Sequence, residues 1–401
     1  MRLLDVSLDP LPDAVRLAGT IERGAARGRS EIVFEYPERF KAFVHESADP
    51  FAALTLLPAA HAGEPLEVAP PISPRLYFNL PRVLDIWHTW HPEQVARVPV
   101  EVKARPESPV PPSGRAASFF SGGVDSFYTL LKRLRPETAL PVPLTHVVFM
   151  RGIERRLQKS QGVDESLQRA EEIAEAVGVE CLTGTSNLRD FSTPHHWEDY
   201  YFGAGLAATA LSLAGGFDYV CIPSGFSYNH MVPHGSTHMV DEMYSTENLT
   251  VVHDGAEVSR AEKVVKSVEW NPDLVLSNLR VCTKNEGGDY NCGRCKKCVR
   301  TAIPLKIIDA WEDARTFPDK STGHWEEAVS ADHLALVEEN LDLARARGAD
   351  PDLTAMLERV VRRKRSREAL RAFARNSPLE PVIPITRQIR GGLRRLPFNR
   401  S

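Results

Sequence analysis

Phe119-Phe120-Ser121-Gly122-Gly123-Val124-Asp125-Ser126-Phe127 is the stretch from which the rest of this chain is read. An apolar run at 116–120 enters it with the character of a strand, and a run at 124–134 leaves it with the character of a helix. The paired glycines tolerate positive φ and carry no side chain, so backbone N–H groups can point at an oxyanion while the helix dipole adds favourable potential. Ser121 and Ser126 add hydroxyl donors. A bare carboxylate repels phosphate, so Asp125 is expected to help hold Mg²⁺. The stretch is neither G-x-x-x-x-G-K-[ST] nor G-x-G-x-x-G.

Outward from this turn, strands expected at 145–150, 180–182, 219–223 and 249–253 alternate with helices expected at 160–177, 199–213 and 259–268, the last capped by Ser259. That rhythm predicts an α/β fold, a parallel sheet with helices on both faces. Upstream, β-like runs at 31–36, 75–80 and 98–102 lie between proline-rich turns, so residues 1–105 are expected to form a small β-rich N-terminal domain. Four prolines mark 106–114 as a linker, 115–305 as the central unit, and 306–401 as a helical, basic C-terminal region. Within that region 359–401 carries thirteen Arg or Lys against two Glu, so the remaining body is acidic.

Bulk composition narrows the class. Of 401 residues, 25% are charged and 42% hydrophobic, which excludes a wholly disordered or multi-spanning membrane chain. The uncharged stretch 201–217 falls short of the ~20 residues that span a bilayer and reads as a buried helix. Acids in the opening MRLLDVSLDPLPD stand where a secretory signal needs apolar residues, so a cytoplasmic protein is expected.

Cys282, Cys292, Cys295 and Cys298 cluster, while Cys181 and Cys221 stand alone. Four thiolates at this spacing suit tetrahedral Zn²⁺, and a closed four-sulfur shell leaves no position for substrate, so the expected site is structural. An iron–sulfur cluster or uncoordinated thiols remain open alternatives. Gly293 permits a tight turn, and Arg294, Lys296 and Lys297 offset the negative charge of the thiolates.

The loop matches S-G-G-x-D-S, and by it the chain resembles the PP-loop (N-type) ATP pyrophosphatases. The loop followed by C-x(n)-C-x2-C-x2-C is similar, over 115–305, to the 7-cyano-7-deazaguanine synthase branch of that family. The resemblance implies an adenine nucleotide alpha-hydrolase-like fold that binds ATP, Mg²⁺ and Zn²⁺. It implies ATP cleavage between the α- and β-phosphates, adenylation of a small-molecule carboxylate, and displacement of AMP by ammonia or another amine to give an amide or nitrile. Ser121, Gly122, Gly123, Val124, Asp125 and Ser126 then form the pyrophosphate site, with adenine near 149–152. The chain departs from the branch in its N-terminal segment and basic C-terminal region, and the deazapurine substrate is not carried over. A sulfurtransferase acting on tRNA or a small molecule, with Cys181 or Cys221 as persulfide carrier, and a non-catalytic ATP-binding regulator are the alternatives. Nucleic-acid contact through the basic tail and homo-oligomerisation stay open.

A polar run follows the strand expected at 219–223, where α/β proteins place ligands. From it Ser224, Tyr228, Asn229, His230, His234 and Asp241 are expected to bind substrate. Pro233 and Gly235 argue against a helix that would align His230, His234 and His238 on a metal. Arg260 and Lys263, at i and i+3, are candidates to neutralise the leaving pyrophosphate and, with Asp125, form the expected catalytic set. Trp197, Tyr200 and Tyr201 are assigned to the core, and His195 and His196 are left unassigned.

Overall fold

The computed structural model describes residues 1–24, 28–102, 110–153, 163–191, 197–282 and 290–376. His195, His196, part of the 106–114 linker and the tail from 377 onward lie outside the described residues.

One sheet runs through the molecule. Its strands are β1 (Arg2–Pro10), β2 (Ala14–Glu22), β3 (Arg29–Pro37), β4 (Leu66–Val68), β5 (Val100–Val102), β6 (Ala116–Phe119), β7 (Leu144–Arg151), β8 (Glu180–Ser186), β9 (Tyr219–Pro223) and β10 (Thr250–Asp254). They lie in the order β10-β9-β6-β7-β8-β3-β2-β1-β4-β5. The block from β10 to β8 is parallel throughout, whereas β3 joins β8 antiparallel through Phe34–Ser186 and Glu35–Thr185. The N-terminal strands therefore extend the parallel sheet rather than closing on themselves.

The helices used below are α1 (Asp49–Ala62), α2 (Pro74–Trp90), α3 (Val124–Arg133), α4 (Val163–Ala176), α5 (Phe202–Ser212), α6 (Arg260–Trp270), α7 (Pro272–Asn278), α8 (Lys296–Ile307), α9 (Leu334–Arg347) and α10 (Pro351–Asn376). They cover both faces, as strand alternation requires. On β7, Val148 and Met150 join a core with α1, α2 and α5, while Val147 and Phe149 join a second core with α3, α4, α6 and the C-terminal helices. Helix α5 is apolar all round and buried throughout except at Phe202, as expected for 199–213, although a π-turn at Trp197–Tyr201 precedes it. Trp197, Tyr200 and Tyr201 are core residues. Among the described residues no helix is long and apolar enough to cross a membrane.

One expectation is corrected. Residues 75–80 are not a strand but the start of α2, whose Ser73 cap accepts the Leu76 N–H and whose first position is Pro74. Leu76, Leu80, Val83, Leu84 and Trp87 recur at helical spacing and are buried. The β-favouring composition of Leu-Tyr-Phe hid that period, because Tyr77 and Phe78 are the exposed face.

The order of the parallel block positions the site. From β6 the chain winds outward one way through β7 to β8, then returns to the other side of β6 as β9 and β10. The reversal falls between β6 and β9, and doubly wound sheets bind ligands at that crevice, beyond the carboxyl ends of the strands.

The β3–β8 seam rests on a close approach. A Cβ on Gly184 would lie 2.6 Å from the Tyr36 ring and 2.9 Å from the Glu35 carbonyl oxygen, while the Tyr36 hydroxyl hydrogen-bonds Ser212 Oγ at 2.6 Å. Gly184→Val is expected to destabilise the fold by roughly 2 kcal/mol, read as a lowered urea midpoint at unchanged m-value.

Candidate active site

The β6 loop presents backbone donors. Gly122 adopts φ +75° and its carbonyl accepts the Arg280 N–H at 2.8 Å, which turns the peptide into the helix start. The first bond of α3 runs from Phe127 N–H to the Gly123 carbonyl, at 3.0 Å. The N–H groups of Val124, Asp125 and Ser126 are therefore the orphan donors of that helix. Ser126 Oγ accepts the Ser121 N–H at 3.3 Å and donates to the Gly123 carbonyl at 3.0 Å, so both serines also brace the loop.

Cations converge on it. Arg260 and Lys263 enter from the start of α6, which begins in a capping box between Ser259 and Glu262. Arg260 ion-pairs with Asp125, and Lys263 Nζ lies 3.5 Å from Asp125 Oδ1. Lys263, 1% exposed, also donates to the Ser224 carbonyl at the end of β9, at 2.5 Å. Arg300, from α8, completes the group and pairs with Asp332 at 3.2 Å.

These charges are not fully balanced. Burial pushes the Lys263 ammonium below the usual lysine range, with Arg260 pushing the same way against Asp125 and Glu339. Arg300 falls to about 10 through burial and then repulsion from Arg260. Burial acts to raise the Asp125 carboxyl, but Arg260, Lys263 and Arg300 together outweigh it and hold it below the usual aspartate range. Nε of both Arg260 and Arg300 is buried without a hydrogen-bond partner. Asp125 is thus enclosed by two cations, an arrangement that does not suit the Mg²⁺ ligand expected from the sequence. Its carboxylate aims Arg260 and Lys263 instead.

Two residues that sequence reasoning missed hold this geometry. Glu339, on α9 and 3% exposed, accepts the Arg260 N–H and the Ser227 hydroxyl, each at 2.9 Å, and so ties the α6 start to the loop after β9. Asn291, fully buried, accepts N–H bonds from Val281 and Cys282 and donates to the carbonyls of Leu279 and Thr316.

Asn291 thereby links the loop to the cysteines. Sγ atoms of Cys282, Cys292, Cys295 and Cys298 lie within 4.8 Å of one another and could hold a metal such as zinc. The Cys292–Cys298 and Cys295–Cys298 separations of 3.9 and 3.5 Å match tetrahedral Zn–S bonds of ~2.3 Å. Gly293 sits at φ +70°, with a Cβ position 2.9 Å from Asp319, so the expected tight turn is real. Cys282 follows Arg280 by two residues, so the cysteine cluster adjoins the segment that clasps Gly122.

The loop after β9 is only partly arranged as expected. Ser224 lines a cavity of about 170 Å³ that also includes Phe226, Ser236, His238 and His253. Tyr228 and Asn229 are exposed, and His230 turns to Glu339 at 3.5 Å, so none of these three lines that cavity. His234 packs on Phe226, and burial lowers its pKa. Asp241 is wholly buried behind the cavity, with Oδ2 2.8 Å from His253 Nδ1 and 2.6 Å from Ser236 Oγ. His230, His234 and His238 do not converge on a metal. Adenine was expected near 149–152, where β7 ends beside the loop and Phe120 N–H donates to the Val148 carbonyl at 3.0 Å.

Comparison of the chain with family models, with curated proteins and with solved structures finds no match.

Asp125→Asn would leave Arg260 and Lys263 unneutralised and is expected to cost about 3 kcal/mol at pH 7. Because the folded carboxyl ionises more readily than the unfolded one, its contribution is complete at neutral pH and is lost as pH falls below about 4. Denaturant titrations of the wild type should therefore show an acid-limb slope that the variant lacks. Elemental analysis of the purified protein should find about one thiolate-bound divalent metal per chain, and Cys298→Ser should lose it and lower the melting temperature.

Proposed function

We propose that this protein is an ATP pyrophosphatase of the PP-loop type, which adenylates a carboxylate at the crevice between β6 and β9. The observation that carries the reading is the gathering of Arg260, Lys263 and Arg300 about Asp125, in the first turn of the helix whose leading N–H groups, those of Val124, Asp125 and Ser126, have no partner within it. A polyphosphate answers both: its oxygens accept the amides, and its charge relieves the repulsion. The S-G-G-x-D-S resemblance agrees with this ligand.

In this reading the β- and γ-phosphates of ATP rest on the 121–126 loop with Arg260 and Lys263 beside them. A carboxylate oxygen attacks the α-phosphorus, the bond from it to the bridging oxygen breaks, and pyrophosphate leaves into the cationic group. An amine or ammonia then attacks the acyl carbon and displaces AMP. Positioning and charge neutralisation supply the rate, and no protein nucleophile is required. The four cysteines would hold zinc as a structural brace behind the loop. No step is assigned to Mg²⁺.

Nitrogen rather than sulfur transfer is favoured by the isolated cysteines. Cys181 and Cys221 are buried, and burial pushes the Cys181 thiol up to about 12 and the Cys221 thiol up further. A thiol so far from ionising is a poor persulfide carrier.

Purified full-length protein, given ATP, Mg²⁺ and a deproteinised small-molecule extract of cells, should release AMP and pyrophosphate in equal amounts. Lys263→Met should slow this by two to three orders of magnitude, as the loss of a preorganised charge typically does. ADP and orthophosphate as products would contradict the reading, and binding of ATP without turnover would favour the regulator.

A further inference from the structure

The cavity beyond β9 and β10 is built from parts that neither the loop motif nor the cysteine motif reaches. One wall is Trp90, the last residue of α2, in the N-terminal segment. Trp90 is partly buried and held edge-on to Trp87, with ring centroids 5.3 Å apart. Phe226, Met231 and Met239 add further apolar lining.

Opposite in character is His253, near the end of β10, with its side chain 3% exposed. Asp241 holds its Nδ1 at 2.8 Å, and Asp241 itself is anchored by the Ser236 hydroxyl while its Oδ1 has no hydrogen-bond partner. The contact ties the ring to a buried, anchored partner. The ring is thereby fixed in orientation, and Nε2 is left as its remaining polar atom.

Charge then sets the direction of a ligand. Among the described residues lining the cavity none is Lys, Arg, Asp or Glu, so it suits an uncharged group. Positive charge lies just outside, where Lys263 Nζ donates to the carbonyl of Ser224, a lining residue, and also faces Asp125 of the phosphate loop. A ligand with an anionic end and a flat neutral body satisfies both halves.

We infer that this cavity is the acceptor subsite, that Trp90 and the Asp241-oriented His253 select the acyl group, and that the N-terminal segment is therefore part of the substrate site. The inference rests on the adenylation reading. The acyl body lies against Trp90 and His253, and its carboxyl end meets the α-phosphate near Lys263.

Two stable acyl-adenylate mimics of equal charge, 5′-O-(N-acetylsulfamoyl)adenosine and 5′-O-(N-benzoylsulfamoyl)adenosine, test it by isothermal titration calorimetry on the full chain. The benzoyl compound should bind the wild type at least about tenfold more tightly, equivalent to ~1.4 kcal/mol. Trp90→Ala and His253→Ala should each remove most of that gain, with circular dichroism and a thermal melt close to the wild type reporting that the variants are folded. Trp90→Phe, which keeps a flat ring, should retain it. If acetyl and benzoyl bind the wild type equally, or the gain survives both alanine variants, the subsite assignment is overturned while the nucleotide site stands. If neither mimic binds the wild type, the adenylation reading and the subsite fall together.

Discussion

Arg260 and Lys263 share the Asp125 carboxylate while Arg300, paired with Asp332, stands close enough to act on both Arg260 and Asp125, and the repulsion that Arg260 exerts on Lys263 and Arg300 is the constraint on which the rest of the site depends. Desolvated cations need compensation from charges and dipoles fixed by the fold. Here the fixing is done at long range: Glu339 from α9, Asp332 beside Arg300, and the Ser224 carbonyl under Lys263. The C-terminal helices thus belong to the site's electrostatics as well as to the second core.

Topology explains why this charge gathers where it does. The winding reversal between β6 and β9 leaves two strand ends side by side with no crossover between them, and the loops leaving them supply the orphan amides on one side and the Ser224 carbonyl on the other. Helix α6 then brings its first turn across the gap. The cysteine cluster lies beside this arrangement, since Asn291 bonds the backbone of Leu279, Val281 and Cys282 on either side of Arg280, whose N–H bonds Gly122. A metal there would act on the loop through backbone position, not through its own charge.

Much of this was legible in the sequence because it is local. The strand, glycine turn and helix at 116–134, the cap at Ser259 and the C-x2-C-x2-C knuckle each declare themselves within a few residues, and the structure places them as expected. What sequence could not give depends on distant pairing. Glu339 reads as one more acid on a charged helix, yet it meets Arg260 79 positions away. His253 reads as a strand residue until Asp241 is seen beneath it, and Trp90 belonged to a segment expected to stand apart. Tyr228, Asn229 and His230 lie outside the cavity for the converse reason: polarity marks a surface loop as readily as a pocket.

The central claim is that the cation group is an anion site joined to the 121–126 loop. Calorimetric titration of inorganic pyrophosphate into the full-length protein, at low and raised salt, tests it most directly. The account predicts saturable binding that weakens with salt and is lost in Arg260→Met. Absence of binding, or affinity unchanged by that substitution, would contradict it.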